Sequence, residues 1–365
     1  MTIGLTYDLR SEYRAQGYRE ADIAEFDSDE TITALEETIK ALGYKTDRIG
    51  NVRQLCSRLA QGHRWDLVFN MAEGLSGRFR ESEVPALLEI YRIGYTFSDP
   101  VVCAMTLDKG IAKHIIRSFG IPTPAFQVIE TLSQLKDVNL TYPLFAKPVA
   151  EGTSKGIDQN SRVNNPKQLK NTCERLLSTF NQPVLVEEFL PGSEFTAGVL
   201  GNGDDAYVLG IMEITMADGR KEAVYCYDTK ERCETLVKYL PYNGPLHKQI
   251  SQTALLAYKA FGCRDTARVD LRCDQQGEPC FLEINPLPGL HPTHSDLPMI
   301  ATQQAVRYIE LIGKILNSAF SRIKSAPAPV FRPPGPPLVL PASAGTSLPL
   351  RKQGQKARGQ IEEAR

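Results

Sequence analysis

The segment Ala267-Arg-Val-Asp-Leu-Arg-Cys-Asp-Gln-Gln-Gly-Glu-Pro-Cys-Phe-Leu-Glu-Ile-Asn285 alternates in polarity on both sides of a turn at Asp274–Pro279. That is the pattern of a β-hairpin. A turn centred between Gln276 and Gly277 sets Asp270 opposite Glu283 and Arg268 opposite Asn285. Residues i and i+2 of a strand share a face, so these four side chains project together. Three oxygen ligands and a guanidinium are costly to bury unless something binds them. Hard oxygen ligands favour Mg²⁺ or Mn²⁺, and an arginine beside bound metal suits phosphoryl chemistry. On spacing alone, a solvated face with cross-strand ion pairs fits equally well.

Working upstream, Val184-Leu-Val-Glu-Glu-Phe-Leu-Pro-Gly-Ser-Glu194 reads as two strands, Val184–Glu188 and Glu194–Leu200, flanking a turn at Leu190-Pro-Gly192. Glu187, Glu188 and Glu194 are unusual in so apolar a strand pair, although solvent-facing glutamates give the same pattern. Before it, Phe145-Ala-Lys-Pro-Val-Ala-Glu-Gly-Thr-Ser-Lys-Gly156 lies in a strand–glycine loop–strand unit spanning Tyr142–Ile157. Backbone N–H groups and small hydroxyls of such a loop can cradle phosphates, with Lys147 and Lys155 adding charge. The order G-x-x-x-x-G-K-[ST] is missing, so it is not a P-loop. A plain turn is the alternative.

The first hundred residues alternate strands and helices, which implies a parallel sheet. Ile3–Tyr7 and Leu67–Phe69 are strand candidates, and Ile32, Leu35, Ile39 and Leu42 form one helical face between them. Asp27 followed by Glu30 has capping-box spacing, and Gly43 stands where a C-terminal cap belongs. No G-x-G-x-x-G follows the first strand, which excludes a dinucleotide fingerprint. A second helix is expected from Cys103 to Phe119, ended by Pro122 and Pro124, and a third over Lys248–Phe261. Eight of the 24 prolines fall between Ala326 and Leu350, so 325–365 reads as a disordered tail.

The composition narrows the function classes. The chain has 365 residues, with 42 Lys+Arg against 43 Asp+Glu and a net charge of −1. That excludes a strongly basic nucleic-acid binder and a polybasic membrane-surface protein. No apolar run is long enough to span a bilayer. The eight cysteines are scattered, with no C-x-x-C pair or zinc-finger spacing. With no export signal at the N-terminus, a reduced cytoplasmic setting is the expectation.

Taken in order, these motifs closely resemble ATP-grasp ligases, and within them the D-alanine–D-alanine ligase group, over roughly residues 60–305. The matching stretches are Thr106-Leu-Asp-Lys109, Lys147-Pro-Val-Ala-Glu-Gly-Thr-Ser154, Leu185–Glu194, Ala267-Arg-Val-Asp270 and Leu282-Glu-Ile-Asn-Pro-Leu-Pro-Gly289. The resemblance implies an α/β protein, α+β in its central and C-terminal parts, with an ATP-grasp fold of three subdomains. The expected divisions are 1–102, 103–200 and 201–324, followed by the tail 325–365.

It also implies roles. Lys109 and Lys147 would contact the phosphates of ATP, and the loop with Gly152, Thr153 and Ser154 would fold over them. Glu187, Phe189 and Leu190 would line the adenine slot, with backbone near Glu188 and Leu190 reading the base, and Glu194 would hold the ribose. Asp270, Glu283 and Asn285 would ligate two Mg²⁺ (or Mn²⁺) ions. Arg268 and the backbone of Gly289 would stabilise the transferring phosphoryl group and the tetrahedral intermediate. Lys230, in Val224–Glu231, matches the lysine of a closing loop, and Ser295 matches the serine that holds the second substrate's carboxylate.

The implied reaction converts a carboxylate to an acyl phosphate, which an amine then attacks, releasing ADP and phosphate. The implied substrates are small amino acids or peptides, with D-alanine dimerisation for peptidoglycan as one case. A homodimer is the expectation, with no nucleic-acid or membrane partner. The alternatives are a ligase for another amino acid or peptide natural product, and a nucleotide-binding module without turnover.

The departures cluster on the substrate side. The family's Gly-Gly-x-Ser-x-Glu start is replaced by Thr6-Tyr-Asp-Leu-Arg10, leaving Glu25 as the candidate grip for the first substrate's ammonium. Asn70-Met-Ala-Glu-Gly-Leu-Ser-Gly77, with Arg80 and Glu81 after it, replaces His-Gly-x-x-Gly-Glu-Asp-Gly. Glu231 and Thr153 stand where the family has tyrosine and serine, and His291 and His294 are additions.

Overall fold

Burial on both faces of the strands Thr2–Tyr7 and Leu67–Met71 organises the first sheet. The computed structural model describes residues 1–216 and 237–325. Lys230 with its expected closing loop, Cys226, Cys233 and residues 326–365 lie outside the described residues. The elements run β1 (Thr2–Tyr7), α1 (Arg10–Ala15), α2 (Asp29–Ala41), β2 (Lys45–Gly50), α3 (Val52–Ala60), β3 (Leu67–Met71), α4 (Glu83–Ile90), α5 (Pro100–Leu107) and α6 (Lys109–Ser118). Next come β4 (Phe126–Ile129), β5 (Leu144–Pro148), β6 (Arg162–Val163), α7 (Pro166–Phe180) and β7 (Val184–Glu188). The remainder is β8 (Glu194–Leu200), β9 (Tyr207–Met216), β10 (Val237–Pro241), α8 (His247–Phe261), β11 (Thr266–Cys273), β12 (Pro279–Asn285), α9 (Asp296–Gln303) and α10 (Tyr308–Ser325).

The described residues form three sheets. The first is parallel, in the order β2-β1-β3. Ile3, Leu5 and Tyr7 share a core with Ile32, Leu35 and Ile39 of α2 and with Leu311, Ile312 and Ile315 of α10. The last described helix therefore closes the core of the first sheet. Val68, Ile49 and Trp65 pack with Leu55, Leu59 and Leu88 of α3 and α4 on the other side. The second sheet, β4-β7-β5-β6, is antiparallel and carries α7. The third, β10-β9-β8-β11-β12, is antiparallel and carries α8 on one face. This is α/β followed by α+β. Among the described residues no helix is long and apolar enough to cross a membrane.

Several local expectations need correction. Ser28, not Asp27, caps α2: its Oγ accepts the Thr31 N–H at 3.1 Å. The helix expected from Cys103 to Phe119 is two helices. Asp108 takes ψ 99°, ends α5 and caps α6 by accepting the Ile111 N–H. The second strand of the glycine-loop unit is only Arg162–Val163, so 149–161 is a long loop. Ser325, placed in the tail, is the last residue of α10.

The most consequential difference concerns β7 and β8. They do not pair: β7 lies between β4 and β5, and β8 between β9 and β11. The segment Leu190–Ser193 therefore carries the chain from one antiparallel sheet to the other. It is strapped to β11, with the Gly192 N–H on the Cys273 carbonyl at 3.0 Å and the Cys273 N–H on the Ser193 carbonyl at 2.9 Å. A Cβ on Gly192 would sit 2.5 Å from Cys273 Cβ and 2.7 Å from its carbonyl oxygen. Gly192→Ala is therefore expected to cost about 1–3 kcal/mol of stability, the usual penalty of overpacking, as read by urea denaturation.

Candidate active site

Arg268 and Asp270 of β11 face Asn285 and Glu283 of β12, as the hairpin reading required. The geometry behind this differs from the one assumed. Cys273 pairs with Pro279 and Leu271 with Phe281, so the tip is centred on Gln276. Leu282 is left unpaired as a one-residue bulge between Asp270 and Leu271. The bulge restores the register that brings the two carboxylates level.

The Arg268 guanidinium lies 2.9 Å from Asp270, 3.0 Å from Asp296 and 3.9 Å from Glu283. Lys109 Nζ lies 3.3 Å from Glu283, and Thr196 Oγ1 donates to Asp270 at 2.9 Å. Burial, reinforced by Glu283 and Asp296, raises the Asp270 pKa even against Arg268. Burial also opposes ionisation of Glu283, but Lys109, Lys147 and Arg268 outweigh it and hold its carboxyl at about 2. Asn285 Oδ1 accepts the Leu287 N–H at 2.9 Å. Among the described residues no group of three or more His, Cys, Asp or Glu is placed to hold a metal. The donor set here is two carboxylates and an amide, hard oxygens that suit Mg²⁺ when phosphate oxygens and water supply the rest.

A buried charge triad flanks this face. Glu187 lies 2.8 Å from both Lys113 Nζ and Lys147 Nζ, and the three side chains are 3%, 0% and 8% exposed. Burial opposes ionisation of Glu187, but its two lysines outweigh it and lower its pKa, whereas burial lowers Lys113 to about 8 despite Glu187. Lys113 was missed in the sequence, although it is the i+4 partner of Lys109 on α6, a spacing that puts both on one face. Glu187 thus reaches the cleft through lysines rather than as a free wall residue. Around it, Phe145, Phe189, Leu190, Ile214 and Leu282 line a slot between the second and third sheets. Glu188 Oε1 accepts the Thr141 N–H, and the Glu188 and Phe189 amides bond the Ala125 and Pro143 carbonyls. Glu194 pairs with Arg272 at 3.2 Å.

The loop over the slot is strained. Thr153 and Ser154 have φ of 49° and 56°, in the left-handed region, while Gly152 does not. Such conformations cost non-glycine residues about 1–3 kcal/mol and mark functional loops. Lys109 Nζ donates to the Glu151 carbonyl at 2.6 Å, tying the loop to α6.

Beyond Arg268 opens a cavity of about 680 Å³, lined by Glu25, Asp27, Glu73, Glu81, Gly289 and Ser295 among others. Both oxygens of Glu25 are engaged at 2.6 Å, one by the Gly152 N–H and the other by Arg80. Ser295 Oγ accepts the His291 N–H at 2.9 Å, and a Cβ on Gly289 would lie 2.9 Å from it. The rings of His291 and His294 lie 4.7 Å apart, and His291 Nε2 is 3.7 Å from Glu30. Asp27, read from the sequence only as a helix cap, and Glu73, Arg80, Glu81 and Asp296 were given no role at the site by the sequence. Their signal is the run of charge in a region otherwise buried, which only the fold reveals.

The family described as "D-ala D-ala ligase C-terminus" matches residues 115–317. The D-alanine–D-alanine ligase of Bordetella avium is 34% identical over 259 residues, 70% of this chain and 78% of that protein. An uncharacterised protein, y4sG, of Sinorhizobium fredii is 34% identical over 263 residues, 70% of this chain and 75% of that one. Among solved structures, the D-alanine–D-alanine ligase of Bacillus anthracis complexed with ATP superposes with TM-score 0.68 at 22% identity, over 89% of this chain and 98% of that one. The VanG D-Ala:D-Ser ligase of Enterococcus faecalis gives 0.67 at 23% identity, over 87% and 99%.

Two outcomes test this electrostatic arrangement. Glu187→Ala leaves Lys113 and Lys147 buried without their anion and is expected to cost about 3–5 kcal/mol, read by urea denaturation. Asp27 and Glu81 are each pushed up to about 7 by burial, against Arg10 for Asp27 and against Arg80 and Lys109 for Glu81. Asp8 adds to the rise at Asp27, and Glu25 and Glu283 to that at Glu81. The folded state keeps protons that the unfolded chain releases near pH 4, so these groups lower stability as pH rises from about 4 through 7. Asp27→Asn and Glu81→Gln are therefore expected to stabilise the ligand-free protein by about 1 kcal/mol or more at pH 8 and little at pH 4, read as a melting-temperature difference.

Proposed function

The chain belongs to the D-alanine–D-alanine ligase family and is an ATP-dependent carboxylate–amine ligase, and on that premise we propose that both of its substrates are amino acids. One supplies the carboxylate and the other the amine. The observation that carries this is the shared lining of the two spaces: Thr153, Arg268, Glu283 and Asp296 border both the slot between the sheets and the 680 Å³ cavity. The phosphate end of a nucleotide in the slot would therefore meet a carboxylate in the cavity.

In this reading a carboxylate oxygen attacks the γ-phosphorus, the bond to the β-phosphate oxygen breaks, and ADP leaves. The amine nitrogen of the second amino acid then attacks the acyl carbon, the bond to phosphate breaks with its electron pair, and the amine proton goes to solvent. Asp270, Glu283 and Asn285 would hold two Mg²⁺ ions, which supply positive charge against the phosphates. Lys109 and Lys147 bring ammonium charge to the same end, and Glu187 fixes Lys147 in place. Arg268, clamped by Asp270 and Asp296, is held ready for the charge that develops on the transferring group. The loop of Gly152, Thr153 and Ser154 covers the phosphates and keeps water from the acyl phosphate. Phe189 and Leu190 wall the adenine, with backbone at Glu188 and Leu190 for its edge, and Glu194 faces the ribose. Gly289 offers its backbone to the tetrahedral intermediate, and Ser295 the second carboxylate's contact. D-Alanine in both positions, giving a peptidoglycan dipeptide, is one candidate pairing.

ADP release by the purified protein with ATP and Mg²⁺, across D- and L-amino acids offered singly and in pairs, tests this. Release that requires an amino acid, with a dipeptide found by mass, is the expected outcome. Asp270→Ala is expected to lower kcat/KM about 100-fold or more. Nucleotide binding without release for any amino acid would sink the reading in favour of a binding module.

A further inference from the structure

The cavity beside Arg268 is lined by more carboxyl groups than the single ammonium of a simple amino acid can pair. Two arginines, Arg10 and Arg268, line it, a third, Arg80, holds the Glu25 that lines it, and each is engaged within the protein. Arg10 donates to the carbonyls of Ala24 and Phe26 at 2.7 and 2.6 Å. Arg80 is bound to Glu25 and to the Ala150 carbonyl. Arg268 is clamped by Asp270 and Asp296. That leaves Asp27, Glu73 and Glu81 lining the cavity with no side-chain hydrogen bond or ion pair to a described residue. Glu81 is the sharpest case: it is 8% exposed, borders the cavity and, among the described residues, has no hydrogen-bond or ion-pair partner, Arg80 and Lys109 acting on it only at longer range. A buried carboxylate without a partner is costly, so an occupant of the cavity is its natural counterion.

The occupant's chemistry follows by elimination. Phosphate is repelled by these carboxylates, so they do not serve the nucleotide. They are not placed to converge on a metal ion, since no such group of three exists among the described residues. An organic ammonium group can be shared between carboxylates that are too far apart to coordinate one ion. The α-ammonium of a simple amino acid supplies one positive charge, and the attacking amine must be neutral to react. Three carboxyl groups without a side-chain hydrogen bond or ion pair to a described residue can take up a second.

We propose that the amino acid activated at its carboxylate is a diamino acid, its α-ammonium and side-chain ammonium held by Asp27, Glu73 and Glu81. The inference rests on the amino-acid ligase reading for what fills the cavity. In this assignment Glu25 is a positioning residue: its two oxygens tie Arg80 to the Gly152 amide and so hold the phosphate loop against the cavity wall. Burial raises Glu73 well above the ordinary carboxylate range, with Glu81 as its largest charged contributor. Bringing in a cation relieves that crowding.

The test compares lysine, ornithine and 2,4-diaminobutyrate with norleucine, norvaline and alanine, in both enantiomers. Two readouts are used: ADP release with ATP and Mg²⁺, and calorimetric binding to the protein loaded with a non-hydrolysable ATP analogue and Mg²⁺. A diamino acid is expected to exceed its neutral isostere by about 10- to 100-fold in kcat/KM, the range of a charge-assisted hydrogen bond or two. Glu81→Gln is expected to bring that ratio close to one. Glu73→Gln and Asp27→Asn serve as second variants, with nucleotide binding as the check that each is folded. Turnover that favours neutral amino acids overturns the diamino acid and leaves the ligase reading standing. Diamino-acid binding that Glu81→Gln abolishes, without turnover on any amino acid, upholds the cation site and overturns the amino-acid donor. Absence of both binding and turnover overturns both.

Discussion

Glu187 holds two ammonium groups at 2.8 Å in a place almost without water, and the geometry of the cleft depends on that arrangement. Its partners come from different elements: Lys147 ends β5, while Lys113 lies on α6. Lys113 also donates to Thr123, whose hydroxyl bonds the Phe281 carbonyl of β12. One carboxylate thus links the second sheet to the strand that carries Glu283. Two buried cations without their anion would be expensive, and one carboxylate without two cations nearly as much. The triad therefore specifies how the sheets approach each other.

From that link the field of the site divides. On the side proposed for the nucleotide lie Lys109, Lys113 and Lys147, a concentration of positive charge suited to phosphates. On the cavity side lie Asp27, Glu73 and Glu81, a concentration of carboxyl groups suited to ammonium groups. Arg268 sits at the boundary with carboxylates on both sides. An amino acid presents its carboxylate and its ammonium in opposite directions, and in the proposed reading this gradient would orient it with the carboxylate toward the phosphates.

Much of the architecture was legible because it is local. The period of two around residues 267–285 identified the hairpin and its charged face, and the spacing of Ile32, Leu35 and Ile39 identified α2. The errors were also local in origin. The hairpin tip is half a residue off the assumed centre, which shifts the register by one, and the correct face emerges only because Leu282 bulges. Asp108 divides a run of apolar residues that looks helical throughout, since a cap depends on backbone angles that the apolar pattern does not record. Strands β7 and β8 are right in extent and wrong in partner, because a strand's sequence shows its faces but not its neighbour.

The sequence by itself determined the family, several of the strands and helices, and the residues on the hairpin face, because motif spacing and side-chain period are properties of a few consecutive residues. Only the tertiary structure decided that Lys113 joins Glu187, that Glu25 is engaged by Arg80 and the Gly152 amide, and that Asp27, Glu73 and Glu81 face one cavity unmatched. Those facts depend on which distant segments meet and on how much water remains between them, and burial is what turns an ordinary charged side chain into a binding group.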